Sequence, residues 1–480
     1  MSKENRIEEN KMGIMPIGKL LASMSMPPMI SMLAAALYNI IDSYFVAKIS
    51  EDALAAVTLV FPIQMLMMAV SIGTGVGLAS LISRRLGEKR QQEADLAAAH
   101  GFVFAIVYWV IYALAGIFLA EPFIRIFTGA DVQNEAIFDM AVAYCRIVMI
   151  GSLMINLSVT IERILQSSGN TFHPMIFNLV GIGINTAIAP ILIIGWFPFI
   201  GDLGFPGFGV VGAGFAAVIG QSSGLAIALI IFFTRKHAVQ VSFRNFRIRW
   251  EIVRDILSVG IPTIVMQSIQ SILIVCLNGL FMVIAGSSTA VAVLGVYYRI
   301  STFAILPVVG LNQGALPIMG YNFGAKNRMR LMAAYTSAFK VALVIMIIGT
   351  IIIWVFPSQI MMWFSQDPEM IEMGVIAFRA MSTSWIPGAY VIITIGLFQA
   401  LAHGMFALII SIVRQLGFIL PIAYILLMNF GINASWYAYP LAEVSALTLT
   451  TIFFFRVRKQ DIEHLPDGAP VAGRLPDTAI

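Results

Sequence analysis

The chain has 480 residues, of which 59% are hydrophobic and only 11% charged. A soluble protein of this size could not cover that much apolar surface, so the bilayer must be its solvent. The formal net charge of +4 is carried by loops between apolar runs, which fits basic loops beside anionic lipid and gives no support for a nucleic-acid partner.

Spanning the hydrocarbon takes about 20 residues per helix. Twelve apolar runs are predicted as spans near 18–46, 53–81, 94–120, 136–160, 172–195, 209–234, 252–284, 288–319, 331–356, 371–400, 405–429 and 434–456. Residues 1–17 precede them as a cytoplasmic segment, 235–251 join two halves as a basic linker with an amphipathic stretch, and 457–480 form a cytoplasmic tail expected to be disordered. With an inside N-terminus, twenty-two of the 29 Lys and Arg fall in inside segments, whereas Lys48 and Arg125 alone fall outside. That asymmetry sets both termini in the cytoplasm and makes this a multi-pass protein of the plasma (inner) membrane. No cleavable signal sequence is evident, since the charged N-terminus runs into a full-length span.

The chain is also written twice. At an offset of 237, Ala53, Ala55, Ile63, Gly73, Gly77, Gly87 and Lys89 fall on Ala290, Ala292, Ile300, Gly310, Gly314, Gly324 and Lys326; at 233, Arg146 falls on Arg379 and Gln166 on Gln399. Internal duplication in an apolar chain points to two six-helix bundles, 18–234 and 252–456, facing each other across a central cavity.

Chemistry of the enzymatic kind is not indicated. No GxxxxGK[ST], HExxH or GxSxG occurs, and the five histidines form no metal-ligand spacing. Cys145 and Cys276 read as small core residues, and the sequons at Asn156 and Asn433 lie in or beside spans. The chain offers ionisable residues in lipid instead, where a charge costs at least about 2.5–3.5 kcal/mol on insertion scales and therefore usually serves a function. Asp42 lies deep in the first span, with Asn39 and Tyr38 three and four residues before it on the same face. Glu162 lies near the inner end of the fourth span, four residues before Gln166, and reads equally as a functional acid or as an interfacial one with Arg163 snorkelling beside it. Glu443, in the last span, is either a proton site or the partner of a buried Arg414 or Arg299, the pair being the favoured reading. Arg146 and Arg379, at repeat-equivalent places, read as structural; Lys340 is a candidate for a second-half site. Pro27-Pro28 and Pro262 open the first helix of each half and permit matching bends.

These segments resemble the multidrug and toxic compound extrusion (MATE) family over about residues 15–456. The resemblance is carried by Pro27-Pro28 with Tyr38-Asn39-Ile40-Ile41-Asp42, SIGTGVGLASLISRRLGEKR, GLNQGALPIMGYNFGAKNRMR, ERILQSSGNTFHP, NTAIAP, RQLGFILP and YAYPLAE. It implies an all-α polytopic protein in which two pseudo-symmetric six-helix lobes form a V. It further implies a monomeric antiporter that exports organic cations or amphipathic drugs in exchange for protons or sodium, with no cofactor. Asp42 then matches the family's coupling acid, Asn185 an asparagine of the same first-lobe site, and Glu162 an acid of one branch. Members with a well-formed sodium site carry Asp where this chain has Ala189, and tend to carry Thr where it has Ala217. Sodium wants several hard oxygen ligands, so a carboxylate with few of them suits a proton. Coupling to H⁺ through Asp42, with Glu162 as a second coupling acid, is therefore expected; Na⁺, held by Asp42 and Asn185 with Glu162 as a substituted ligand, is the alternative ion. A lipid-linked oligosaccharide flippase of the same superfamily is the competing function, its case resting on the four arginines Arg146, Arg299, Arg379 and Arg414.

Overall fold

The structure is a computed structural model. It describes residues 10–47, 49–128, 135–197, 201–202, 207–235, 237–241, 243 and 246–467, with backbone alone at 39–40, 42–44, 46–47, 51, 197 and 201–202. The first six spans are α1 (Ile17–Ala47), α2 (Glu51–Gly87), α3 (Gln91–Phe118), α4 (Glu135–Ser167), α5 (Phe172–Ile194) and α6 (Gly209–Thr234). The second six are α7 (Trp250–Ile284), α8 (Ser288–Gly324), α9 (Arg328–Val355), α10 (Pro368–Ser382 with Trp385–Ala400), α11 (Gly404–Phe430) and α12 (Ala438–Val457).

All twelve expected spans are present, counting α10 as one: its two parts bend by 44° at their break. The sequence suggested a continuous run there. Pro387 explains the bend, because it lacks the N–H that would reach the carbonyl of Thr383. Three further differences stand out. A two-residue antiparallel pair, Trp196–Phe197 with Gly201–Asp202, follows α5. The linker before Trp250 is not an amphipathic helix in its described residues. It is tied to α3 instead, by Gln240 N donating to Asp95 Oδ1 (2.8 Å), Gln91 Nε2 to the Ala238 carbonyl (2.5 Å) and Arg249 N to His100 Nε2 (3.0 Å). The tail continues as a π-helical turn, Arg458–Ile462, docked by His403 Nε2 to Asp461 Oδ2 at 3.1 Å; residues 468–480 of the tail expected to be disordered lie outside the described residues.

The repeat is visible in local structure. Ser50 caps α2 by accepting from Ala53 N at 3.0 Å, and Ser287 caps α8 by accepting from Ala290 N at 3.1 Å. Lys89 and Lys326 both take left-handed backbone, at φ 61° and 55°, just after those helices end. The glycines shared by the repeats are where the lobes meet. Gly73 faces Gly260 and Ile264 of α7, while Gly310 faces Met29 of α1. Gly77 abuts the Ile256 carbonyl, and Gly314 the Met24 carbonyl and Ser25. At the arginine- and lysine-rich end, a Cβ at Gly87 would strike the Tyr321 carbonyl, and one at Gly324 the Arg84 carbonyl. Each helix end thus lies on the backbone of its repeat partner, an arrangement only residues without a side chain allow.

A short helical turn, Lys11–Ile14, crosses this end. Asn10 Nδ2 donates to the Ser168 carbonyl (3.2 Å) in the first lobe. The Met12 carbonyl accepts from Asn322 Nδ2 (3.2 Å) and Arg330 Nη2 (3.0 Å) in the second. Ser80 Oγ adds a bond to the Gln399 carbonyl at 2.6 Å. These contacts, all in the basic halves of the helices, close that end.

Candidate functional site

In the first lobe the strongest sequence candidate, Asp42, has its backbone in α1, five residues before the helix ends; its side chain and that of Asn39 fall outside the described atoms. One turn earlier, Tyr38 joins Asn185 of α5, whose Nδ2 donates to the Tyr38 hydroxyl at 2.8 Å. Asn185 is buried, and its Oδ1 finds no hydrogen-bond donor among the described residues. Gly220 lets α6 press against the Asn185 side chain, where a Cβ would come to 2.5 Å. Ala189, one turn after Asn185, and Ala217, one turn before Gly220, bring no side-chain oxygen to this junction. The Tyr38–Asn185 bond thus ties α5 to the helix that carries Asp42.

Glu162 forms a separate network. Gln166 Nε2 donates to its Oε1 at 2.7 Å, and Asn178 Nδ2 of α5 to its Oε2 at 3.1 Å. Gln166 Oε1 in turn accepts from Arg163 Nη1 at 3.0 Å. The interfacial reading of Glu162 has Arg163 snorkel toward the membrane surface; it is buried instead, 5% exposed, because Gly75 of α2 leaves room for its side chain. A guanidinium in that position needs an anion, and Gln166 links it to Glu162. Asn178 was missed by the sequence reading. Its signal was available: it sits seven residues, two turns, before Asn185 on the same face of α5. A small polar cavity between α2, α3 and α4, lined by Ser71, Thr74, Tyr108, Asn156 and Thr160, was also missed.

In the second lobe, the buried Glu443 pairs with Arg414, Nη1 to Oε2 at 3.5 Å. Around them, Tyr298 and Tyr439 share a hydroxyl–hydroxyl bond of 2.6 Å, and Trp385 Nε1 donates to Tyr297 at 2.8 Å. Arg299 is exposed and stands outside this pair. Arg146 pairs with Glu121 at 2.7 Å, and Arg379 Nη2 reaches the Trp354 carbonyl at 3.4 Å. Arg146 is thus tied to the short helix Ala120–Thr128 that follows α3, and Arg379 to the end of α9. Lys340 is exposed. Cys145 is buried, but Cys276 is exposed and is no core residue. Among the described residues no cluster of His, Cys, Asp or Glu could hold a metal ion.

The MatE family model matches residues 27–191 and again 262–425, once in each half. The chain is similar to multidrug export protein MepA of Staphylococcus aureus, 25% identical over 460 residues, 94% of this chain and 97% of the relative. Its counterpart in Staphylococcus haemolyticus is 24% identical over 446 residues, 92% and 94% of the two chains. Among solved structures, an outward-facing multidrug resistance MATE family transporter of the MOP superfamily superposes with a TM-score of 0.86 at 27% identity, covering 94% of this chain and 98% of that one. A MOP superfamily transporter from Pyrococcus furiosus gives 0.85 at 27% identity over the same shares.

Proposed function

The chain belongs to the MatE family, and from that premise we propose that it is a secondary antiporter that exports organic cations or amphipathic drugs across the plasma membrane in exchange for protons. The observation that supports the choice of ion is the residue type at two positions beside Asn185. Among the described side chains, the Asn185 Oδ1 and the Tyr38 hydroxyl are polar there, while Ala189 and Ala217 bring no side-chain oxygen. A proton needs one carboxylate; a sodium ion needs several oxygens. In this reading Asp42, ionised, draws a cationic drug into the cavity from the cytoplasm. A proton arriving from outside removes that attraction, and drug is released. Linkage makes the exchange mutual: if protons weaken drug binding, drug lowers proton affinity by the same factor.

The lipid-linked oligosaccharide flippase reading needs free cations for a pyrophosphate. Arg146 and Arg414 are held by carboxylates and Arg379 reaches a carbonyl, so that three of the four arginines are engaged and exposed Arg299 alone is left for that reading, which favours the drug antiporter.

The test is efflux of a fluorescent organic cation from proteoliposomes, driven separately by ΔpH and by a sodium gradient, in wild type and Asp42→Asn. Drive by ΔpH alone, lost in the variant, is the expected result. Drive by sodium would sink the choice of ion, and no cation transport under either gradient would return the flippase.

A further inference from the structure

The Glu443–Arg414 pair is built poorly for a purely structural ion pair. It has one contact, at 3.5 Å, between a carboxylate that is 4% exposed and a guanidinium in a transmembrane helix. A buried pair is stable only when good geometry and further hydrogen bonds satisfy the remaining atoms. Here Glu443 Oε1 has no donor among the described residues, and neither has Oε1 of the buried Gln415, next to Arg414. Gly388 of α10 lies opposite that free oxygen, where even an added Cβ would stay 3.8 Å away. The free oxygen of Glu443 lacks a donor, and the smallest donor is a proton.

Two independent features place this junction with care. Arg414 and Gln415 lie in a π-helical segment of α11, Val413–Ile419, an irregularity that re-aims side chains and recurs at functional sites. Furthermore, α11 and α12 are the second copies of α5 and α6, the helices that meet at Asn185 in the first lobe.

We propose that Glu443 is a second proton-carrying carboxylate, held ionised by Arg414 in the state seen here and discharged by taking a proton on its free oxygen, Oε1. The inference rests on the proton-antiport reading. The proton comes from water, no other bond changes, and Arg414 keeps its charge. Freed from its partner, that side chain, already 30% exposed, turns to water. The groups facing the carboxylate are few. Among the described residues these are Arg414 from α11 and Tyr297 from α8, while Tyr298 of α8 and Tyr439 of α12 stand beside Arg414. From α10 come Trp385 and Gly388, which do not titrate; Arg379 of α10 is engaged at Trp354 instead. Among the described residues Arg414 is the one cation beside Glu443.

Infrared difference spectra between acidic and alkaline protein test this directly, read at the carbonyl stretch of protonated carboxyl groups. A band lost in Glu443→Gln and kept in Asp42→Asn is expected. Unchanged bands in Glu443→Gln would overturn the proposal. Efflux of tetraphenylphosphonium under ΔpH supplies the second arm. Glu443→Gln and the double variant Glu443→Gln/Arg414→Gln should both lose at least about tenfold in rate, with melting of the double variant near wild type, while Glu443→Asp retains efflux. Wild-type efflux by the double variant would mark a structural pair and refute the idea. Absence of ΔpH-driven efflux in wild type would overturn the antiport reading separately, since the infrared result does not depend on it.

Discussion

At the scale of single residues, the first lobe illustrates how an amide can organise an acid's surroundings. Asn185 holds α5 to Tyr38, one turn before Asp42, so the helix bearing the acid is positioned by a bond from another span. Near the other end of the lobe, Gln166 stands between a buried guanidinium and Glu162, donating to one and accepting from the other. Replacing it with Leu would leave Arg163 without its acceptor while removing a donor from Glu162. Loss of about 1–3 kcal/mol per unsatisfied buried group is expected. A melting temperature in detergent that matches wild type for Gln166→Leu would contradict this account. Glu162 was weighed from sequence between a coupling acid and an interfacial one. Its carboxylate is bonded by Gln166 and Asn178, so both of its oxygens have partners before any ligand arrives, unlike Glu443.

At the scale of elements, the repeated glycines decide how the helices cross. Gly87 on the Tyr321 carbonyl and Gly324 on the Arg84 carbonyl make one contact twice, related by the duplication. A methyl group at Gly324 would meet rigid backbone, and overpacking of this kind costs about 1–3 kcal/mol. Because the penalty falls only on the state in which the basic ends touch, Gly324→Ala should shift the equilibrium toward separation there by roughly tenfold per 1.4 kcal/mol. A Cys placed at Ser80, fully buried at that junction, would report it by faster alkylation. Equal rates with and without Gly324→Ala would count against the glycine contact as a closure device. The bend in α10 follows the same local logic, with a proline deleting one rung of the helix.

At the scale of the whole molecule, two lobes closed at their basic ends are half of an alternating-access cycle, and transport requires those ends to part. The Cβ of Ser83 would lie 3.3 Å from one built at Gly320, close to the span of a disulfide. In a background with Cys145 and Cys276 replaced by Ser, Ser83→Cys with Gly320→Cys should cross-link under mild oxidation. Efflux should stop when it does and return on reduction. Cross-linked protein that still transports would show that this contact persists through the cycle.

The sequence by itself determined a great deal of this protein. Its hydropathy required the bilayer and marked out the spans, and its repeat pointed to two matching halves, because each is a property of local composition or of self-similarity. The first-lobe helix carrying Asp42 was legible for the same reason: a carboxylate in an apolar run is conspicuous wherever the run folds. What only tertiary structure decided are the relations between distant segments. That Arg163 is buried depends on Gly75 of another helix leaving space, and that Arg414, not Arg299, meets Glu443 depends on a π-helical turn and the packing of α11 on α12. Asn178 became part of a site only when α5 was laid against α4. Periodicity ranks the faces of a helix, but it carries no information about which neighbour will face them, and burial and pairing are set by that neighbour.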